Sequence, residues 1–377
     1  MRSKGIAAVA LSGLGAIVVM GQAPIPAPAP QTGPGVQALN DSKYQAYVMA
    51  NCKNPPPPRV AGGRPPAPRP THRAYAVTAI PGVIAAGEKW RTVWTGTGNN
   101  ADGPVATPDG GMLFAQNSKS QVMKLDKDGQ VSFPYSDTNT GGALAMNKRG
   151  ALFIVQRGLP QAIWQLAPRR RLLTNTYMGE PLDCAGTLLN DITADSKGGV
   201  YFTKGGVHYA DAKGVVTKYG TVGGNGIILS ADEKTLYVTG RLAASGSGGG
   251  GGAAAPAPAP APGRGPGAAP GGGGGGLVAF DVQPDGSLTN ERQFALVGGD
   301  GSAVDAQGRV YSTGGGGVQV VDKDGTFLGE IASPLPLITA AFSGPDKKTL
   351  YGVANNQQFD EIFTIQMTAE GYKGRAK

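Results

Sequence analysis

Histidine and cysteine are scarce in this chain: two of each among 377 residues. His72 and His208 stand far apart in sequence. A zinc centre built on imidazole or thiolate, or a Ser-His-Asp triad, has too few residues to draw on. Lysine and arginine outnumber aspartate and glutamate by 34 to 26, for a formal charge of +8. The basic residues are scattered (Arg2, Lys4, Arg59, Arg64, Arg69, Arg73, then Arg169-Arg170-Arg171) and lack interleaved aromatics, so they make no nucleic-acid face. They read as solvated surface with a weak attraction to anionic envelope surfaces. A membrane-spanning run is missing too. Ile6 to Met20 is apolar but short and rich in glycine and alanine. With Arg2 and Lys4 ahead of it and Gly21-Gln22-Ala23 behind, it reads as a secretory signal over residues 1–23. An uncleaved anchor is the other reading. No cysteine follows directly, which argues against a lipid-anchored form.

Glycine and proline, by contrast, are abundant at 62 and 30 residues. The excess sits in two stretches, a Pro/Gly-rich linker over 24–73 and a low-complexity Gly/Ala/Pro insertion over 243–276. What remains, roughly 270 residues, is enough for one core or one repeat array. A short helix fits between Gln37 and Cys52. An exported context, periplasmic or extracellular, permits a disulfide between Cys52 and Cys184. It would pin the N-terminal segment to the loop leading into Asn190. Two unpaired, partly buried thiols are the alternative.

One unit recurs six times. A turn and strand appear as PDGGMLFAQN, KRGALFIVQR, SKGGVYFTKG, DEKTLYVTGR, QGRVYSTGG and DKKTLYGVAN. Each is preceded by a short strand of small apolar residues and followed by a second alternating strand. The period is close to ~40 residues once the insertion is set aside. Alternation of Val, Ile, Phe, Tyr and Leu with polar residues marks half-buried strands, and helical periodicity is absent. The pattern predicts an all-β, six-bladed β-propeller over 74–377. The sixth unit has only three strands, so the segment Lys89 to Trp94 is expected to close the last blade as its outermost strand.

Four units place Asp102, Asn190, Asn225 and Asp300 six or seven residues ahead of the turn that opens the next strand. In a propeller that position is the start of the innermost strand, at one mouth of the channel. Two carboxylates and two carboxamides on an axis make a site for a hard cation. Asp and Asn also shape loops through their own backbone. A purely structural cap should recur in all six units, yet units two and six carry Gly142 and Thr339 there.

The stretches DGPVATPDGGMLF, NDITADSKGGVYFT, NGIILSADEKTLYV and DGSAVDAQGRVY together resemble the gluconolactonase, or regucalcin (senescence marker protein), family. The resemblance runs from about Gly98 to about Gln366. It implies a six-bladed propeller hydrolysing lactones or related cyclic esters with one divalent cation: calcium first, otherwise magnesium, manganese or zinc. It implies Asp102, Asn225 and Asp300 as metal ligands, and Asn190 and its neighbour Asp191 as substrate-binding residues. Two departures stand out. The family usually has Glu where this chain has Asp102, and often Arg where it has Leu188. Lys204 and Gly240 stand where relatives often carry Asp, which makes the mouth less acidic. Lys204 is expected either to meet an anionic substrate or to be a solvated surface lysine.

In this reading the cation polarises a lactone carbonyl, and Asp300 takes a proton from the attacking water. Asn190 orients substrate or water, with Asp191 behind it. The expected partner is a small lactone or ester, with no nucleic acid, no stable membrane insertion after signal cleavage, and a monomeric state. The competing reading is an exported, non-catalytic binding or scaffold propeller.

Overall fold

Strands of alternating Val, Ile, Phe and Tyr must bury one or both faces, and here they do so against neighbouring sheets. The computed structural model describes residues 42–57, 70–97, 101–242, 275–314, 316–355 and 359–374. The expected signal over 1–23, and most of the proline-rich tract and of the insertion, lie outside the described residues.

Six four-stranded antiparallel sheets form the blades. The innermost strands, in order, are Ala101–Ala106, Gly141–Met146, Ile192–Ala194, Ile227–Leu229, Ser302–Val304 and Thr339–Ser343. Each touches the innermost strands of the blades on either side, so they close into a ring around a channel. The chain is therefore a six-bladed β-propeller. Closure happens as expected: Arg91–Thr97 pairs antiparallel with Phe359–Gln366 as the outer strand of the sixth blade. In blade four, Thr235–Gly240 and Gly276–Val282 pair so that Gly240 faces Gly276. The insertion thus leaves and re-enters the blade at the mouth where the four polar residues lie.

Six hydrophobic clusters fill the junctions between blades. Val105 and Leu113 meet Leu144 and Ile154 between blades one and two. Phe153 and Ile163 meet Ile192 and Phe202 between two and three. Tyr201 meets Ile227 and Phe280, and Tyr237 meets Val304 and Val310, at the next two junctions. Tyr311 packs on Phe342 and Leu350, and Phe114 and Met123 pack on Tyr351 and Ile362 to complete the circle. Each blade supplies both faces to this core, and the outer strands stay exposed, as Val131 and Phe133 show.

Asp and Asn at the opposite end tie the hairpin turns. Asn147 Oδ1 accepts from the N–H of Arg149 and Ala151. Asp195 does the same for Lys197 and Gly199, and Asp305 for Gln307 and Arg309. Local turn shaping at the hairpins is therefore carried by Asn147, Asp195 and Asp305, while at the mouth Asp102 Oδ1 also accepts from its own neighbour, Gly103 N.

The N-terminal part packs on this frame. Helix Ser42–Asn51 buries Tyr44 and Val48, and Tyr44 Oη donates to Asp183 O at 2.8 Å. Cys52 and Cys184 form a disulfide, which resolves the open choice between a bridge and free thiols. It joins the end of this helix to the short 3-10 turn Leu182–Ala185, just ahead of Asn190. Residues Ile80, Val83, Ile84 and Trp90 fill the junction of blades five and six.

The bridge spans a sequence separation of 132 residues. Cross-linking so long a loop restricts the unfolded chain, an effect commonly worth about 2–5 kcal/mol. Cys52→Ser with Cys184→Ser should lower unfolding free energy by about that amount in denaturant titration. Identical midpoints and slopes for the two proteins would show that the bridge does not stabilise the fold.

Candidate active site at the channel mouth

The four polar residues stand where the spacing placed them, at or just before the starts of four innermost strands. Backbone bonds fix each start. Asn190 N donates to Thr203 O, Asn225 N to Thr239 O, and Asp300 N to Thr313 O. A threonine from the preceding blade then caps the carbonyl: Thr203 Oγ1 donates to Asn225 O, and Thr239 Oγ1 to Asp300 O. The glycine after the polar residue lets the blades come this close. A Cβ on Gly226 would lie 2.0 Å from Asp300 O, and one on Gly103 would lie 2.4 Å from Ala143 Cα. The DG and NG pairs of the sequence thus record a close backbone approach as well as a side chain at the mouth.

Three of the four side chains meet through a residue that the sequence did not suggest. Arg157 follows the second strand of blade two, Leu152–Gln156. Its Nη2 donates to Asp102 Oδ2 at 2.9 Å and to Asn190 Oδ1 at 3.0 Å. The same nitrogen reaches Asn190 O at 2.8 Å, and Nε reaches Leu189 O at 2.9 Å. Asn190 Nδ2 in turn donates to Asn225 Oδ1. Asp102, Arg157, Asn190 and Asn225 form one hydrogen-bonded arc across blades one to four, and Asp300 follows next around the ring. The only sequence signal for Arg157 was indirect, the glycine at position 142. A Cβ there would fall 2.3 Å from Arg157 Nε and 2.5 Å from Cζ. Blade two gives up its own side chain at the mouth because the arginine lies across it.

The SMP-30/gluconolactonase/LRE-like region family matches residues 274–354. The matched stretch contains Asp300, while Asp102, Asn190 and Asn225 lie outside it. No curated protein matches the chain by sequence. Among solved structures, a structural-genomics protein assigned as a gluconolactonase aligns at a TM-score of 0.61 and 18% identity, covering 79% of this chain and 100% of that one. A gluconolactonase from Xanthomonas campestris aligns at 0.60 and 20%, covering 81% and 99%. Regucalcin from Agrobacterium tumefaciens, a calcium-binding protein, aligns at 0.54 and 18%, covering 76% and 98%. The family drawn from the four motifs is thus also the one matched by sequence and by fold, and at these identities the structural likeness speaks for the propeller itself.

The gluconolactonase pattern implies a divalent cation, and the donor chemistry fits one. The ring offers only oxygen ligands, from Asp102, Asn225, Asp300 and the carboxamide of Asn190, as a hard cation requires. Among the described residues no three His, Cys, Asp or Glu side chains cluster for a metal, so the carboxamides are needed to complete the set. Asp102 is already engaged, through Oδ1 with Gly103 N and through Oδ2 with Arg157. Each carboxylate oxygen keeps a second lone pair, so these bonds leave ligation open.

Asp191 is turned to a structural task. Its Oδ1 accepts from Ile192 N and its Oδ2 from Ile227 N at 3.0 Å, which staples blade three to blade four. Lys204 is neither solvated nor aimed at a ligand, contrary to both expectations for it. It is buried, and its Nζ donates to Thr187 O and to Gln161 Oε1. Gln161 Oε1 also accepts from Leu189 N at 2.8 Å. Lysine and glutamine together clamp the loop that delivers Asn190. A strand-end lysine looks exposed in sequence; here Gln161 and Thr187 take its ammonium.

Burial pushes the Lys204 ammonium down from 10.5 to about 7, with nearby Asp183 opposing the shift. Between those values the unfolded chain binds more protons than the folded one, so stability rises with pH across that window. Lys347, lowered to about 8 by burial, adds a slope of the same sign. Lys204→Met should remove the Lys204 part, at most about 1.4 kcal/mol per pH unit. Urea unfolding between about pH 7 and 10 measures it. An unaltered slope in the variant would contradict a proton-poor buried Lys204.

Proposed function

We propose that this chain is a divalent-metal-dependent hydrolase of lactones or related cyclic esters. The observation that carries this reading is the arc of oxygen donors at the mouth, in which the Asn190 and Asn225 side chains touch and Arg157 joins Asp102 to Asn190. Gluconolactonase-type relatives and the family match on the stretch containing Asp300 support the substrate class. Asp102, Asn225 and Asp300 would hold the cation, with calcium the first candidate since one structural neighbour is a calcium-binding regucalcin. When bound, the cation supplies Lewis acidity toward a carbonyl oxygen.

The protein's own residues do the rest. Asp300 accepts the proton of the attacking water, and water is the nucleophile because no histidine-activated side chain is at hand. Asn190 orients substrate or water, since its amide is held by Arg157 and Asn225 and cannot rotate freely. His208 takes no part: it is buried in a third strand, and burial lowers it to about 4. Export is part of the proposal, supported by the leader-like start of the sequence and by the Cys52–Cys184 bridge, which oxidising compartments favour.

The Arg157–Asp102 pair also favours a second reading, a binding propeller without turnover, because it occupies part of the donor set. A panel of lactones assayed with calcium, manganese, zinc and EDTA separates the two. Metal-dependent turnover supports the enzyme, whereas bound metal without turnover on the panel supports the binder. Asp300→Ala is expected to lower kcat/KM by about 100-fold or more. Elemental analysis of the same variant should show less bound metal. Unchanged metal content and unchanged activity would remove Asp300 from the mechanism.

A further inference from the structure

Arg157 is held more firmly than a surface arginine and yet is not fully used. Nε and Nη2 together serve four acceptors: Leu189 O, Asn190 O, Asn190 Oδ1 and Asp102 Oδ2. Nη1 has no hydrogen-bond partner among the described residues. The residue keeps 8% of its surface exposed. A guanidinium fixed on one edge, with a free NH₂ on another, is a preorganised donor for an anionic oxygen. Little side-chain entropy remains to be lost when a ligand binds it.

Its place in the fold strengthens the case. Gly142 leaves the space in which the guanidinium lies, and the two residues thus work as a pair. Position 188, two residues ahead of Asn190, carries leucine and supplies no guanidinium of its own. Thr203 and Thr239 show that a short hydroxyl suffices to cap the next blade's carbonyl. Arg157 performs the same cap on Asn190 O, and the rest of its guanidinium exceeds what that structural task needs.

The geometry points to Arg157 as the ligand-binding residue that receives the carboxylate of a hydroxy acid, the group created when a lactone ring opens. The same contact meets the carbonyl oxygen of the intact lactone as charge gathers on it. Only the choice of hydroxy acid rests on the hydrolase reading; the anion site rests on the arginine itself. Asp102 then has a second role, since it sets the orientation of the guanidinium.

Calorimetric titration with D-gluconate tests this without any turnover. The unmodified full chain should bind gluconate, and Arg157→Met should bind it at least tenfold more weakly with its metal content retained. Arg157→Lys should recover part of the loss, because the charge returns without the fork. Gly142→Ala keeps the arginine but drives it out of place, so it should weaken binding to a similar degree. Should Arg157→Met lose cooperative unfolding, the Lys and Gly142 variants carry the comparison. Equal gluconate affinity in all four proteins, or no binding by the unmodified chain, overturns the inference. The two readings fail separately. Lactone turnover with Arg157-independent gluconate binding sinks the anion site alone. Arg157-dependent gluconate binding without turnover sinks the hydrolase alone.

Discussion

Ring closure is the constraint on which the rest depends. The strand Arg91–Thr97 must reach across from before the first blade to pair with Phe359–Gln366 in the last. Only then does every blade face two neighbours, and only then are all six junction clusters complete. A propeller blade cannot bury both of its faces alone. Closure also sets the radius at which the innermost strands meet, and so the distance between polar side chains that come from different blades. The Gly103 and Gly226 positions show how tight that radius is, since a single methyl group at either would collide with the adjacent blade's backbone.

The mouth follows from this crowding. Six strands start there, and four bring an Asp or Asn, while blade six brings Thr339. Blade two brings none from its own first strand and instead sends Arg157 from beyond its second. The resulting arc balances charge locally, with the guanidinium against Asp102, and leaves Asp300 next in order. The same loop that carries Asn190 is clamped from below by Lys204 and Gln161, and behind them by the turn that the disulfide ties to the N-terminal helix. Asn190 is thereby positioned by covalent and hydrogen-bonded restraints that begin far away in sequence.

Much of this was legible in the chain. The recurrence of PDGGMLF-like units gave the blade count, and the three-strand remainder after Thr339 gave the closing strand. Asp102, Asn190, Asn225 and Asp300 were legible because a constant offset from a turn is a constant place in a blade. Arg157 was not legible: QRG at the end of a strand looks like any exposed strand terminus, and its meaning lies in a contact with residues of two other blades. Lys204 misled for the opposite reason, because a lysine beside two glycines reads as surface until Gln161 and Thr187 accept from its ammonium. Asp191 shares a motif with Asn190, and its carboxylate accepts from Ile192 N and Ile227 N at the seam between blades three and four.

The sequence by itself determined the architecture, the number of blades and which strand seals them, since all of these are periodic and periodicity survives in one dimension. It also determined which residues stand at the mouth. The tertiary structure alone decided how those residues are joined: that an arginine bridges Asp102 and Asn190, that Gly142 is small in order to admit it, and that Cys52 and Cys184 are paired. Those facts depend on groups separated in sequence coming into contact, within about 3 Å for the hydrogen bonds, and that contact exists only once the chain is folded.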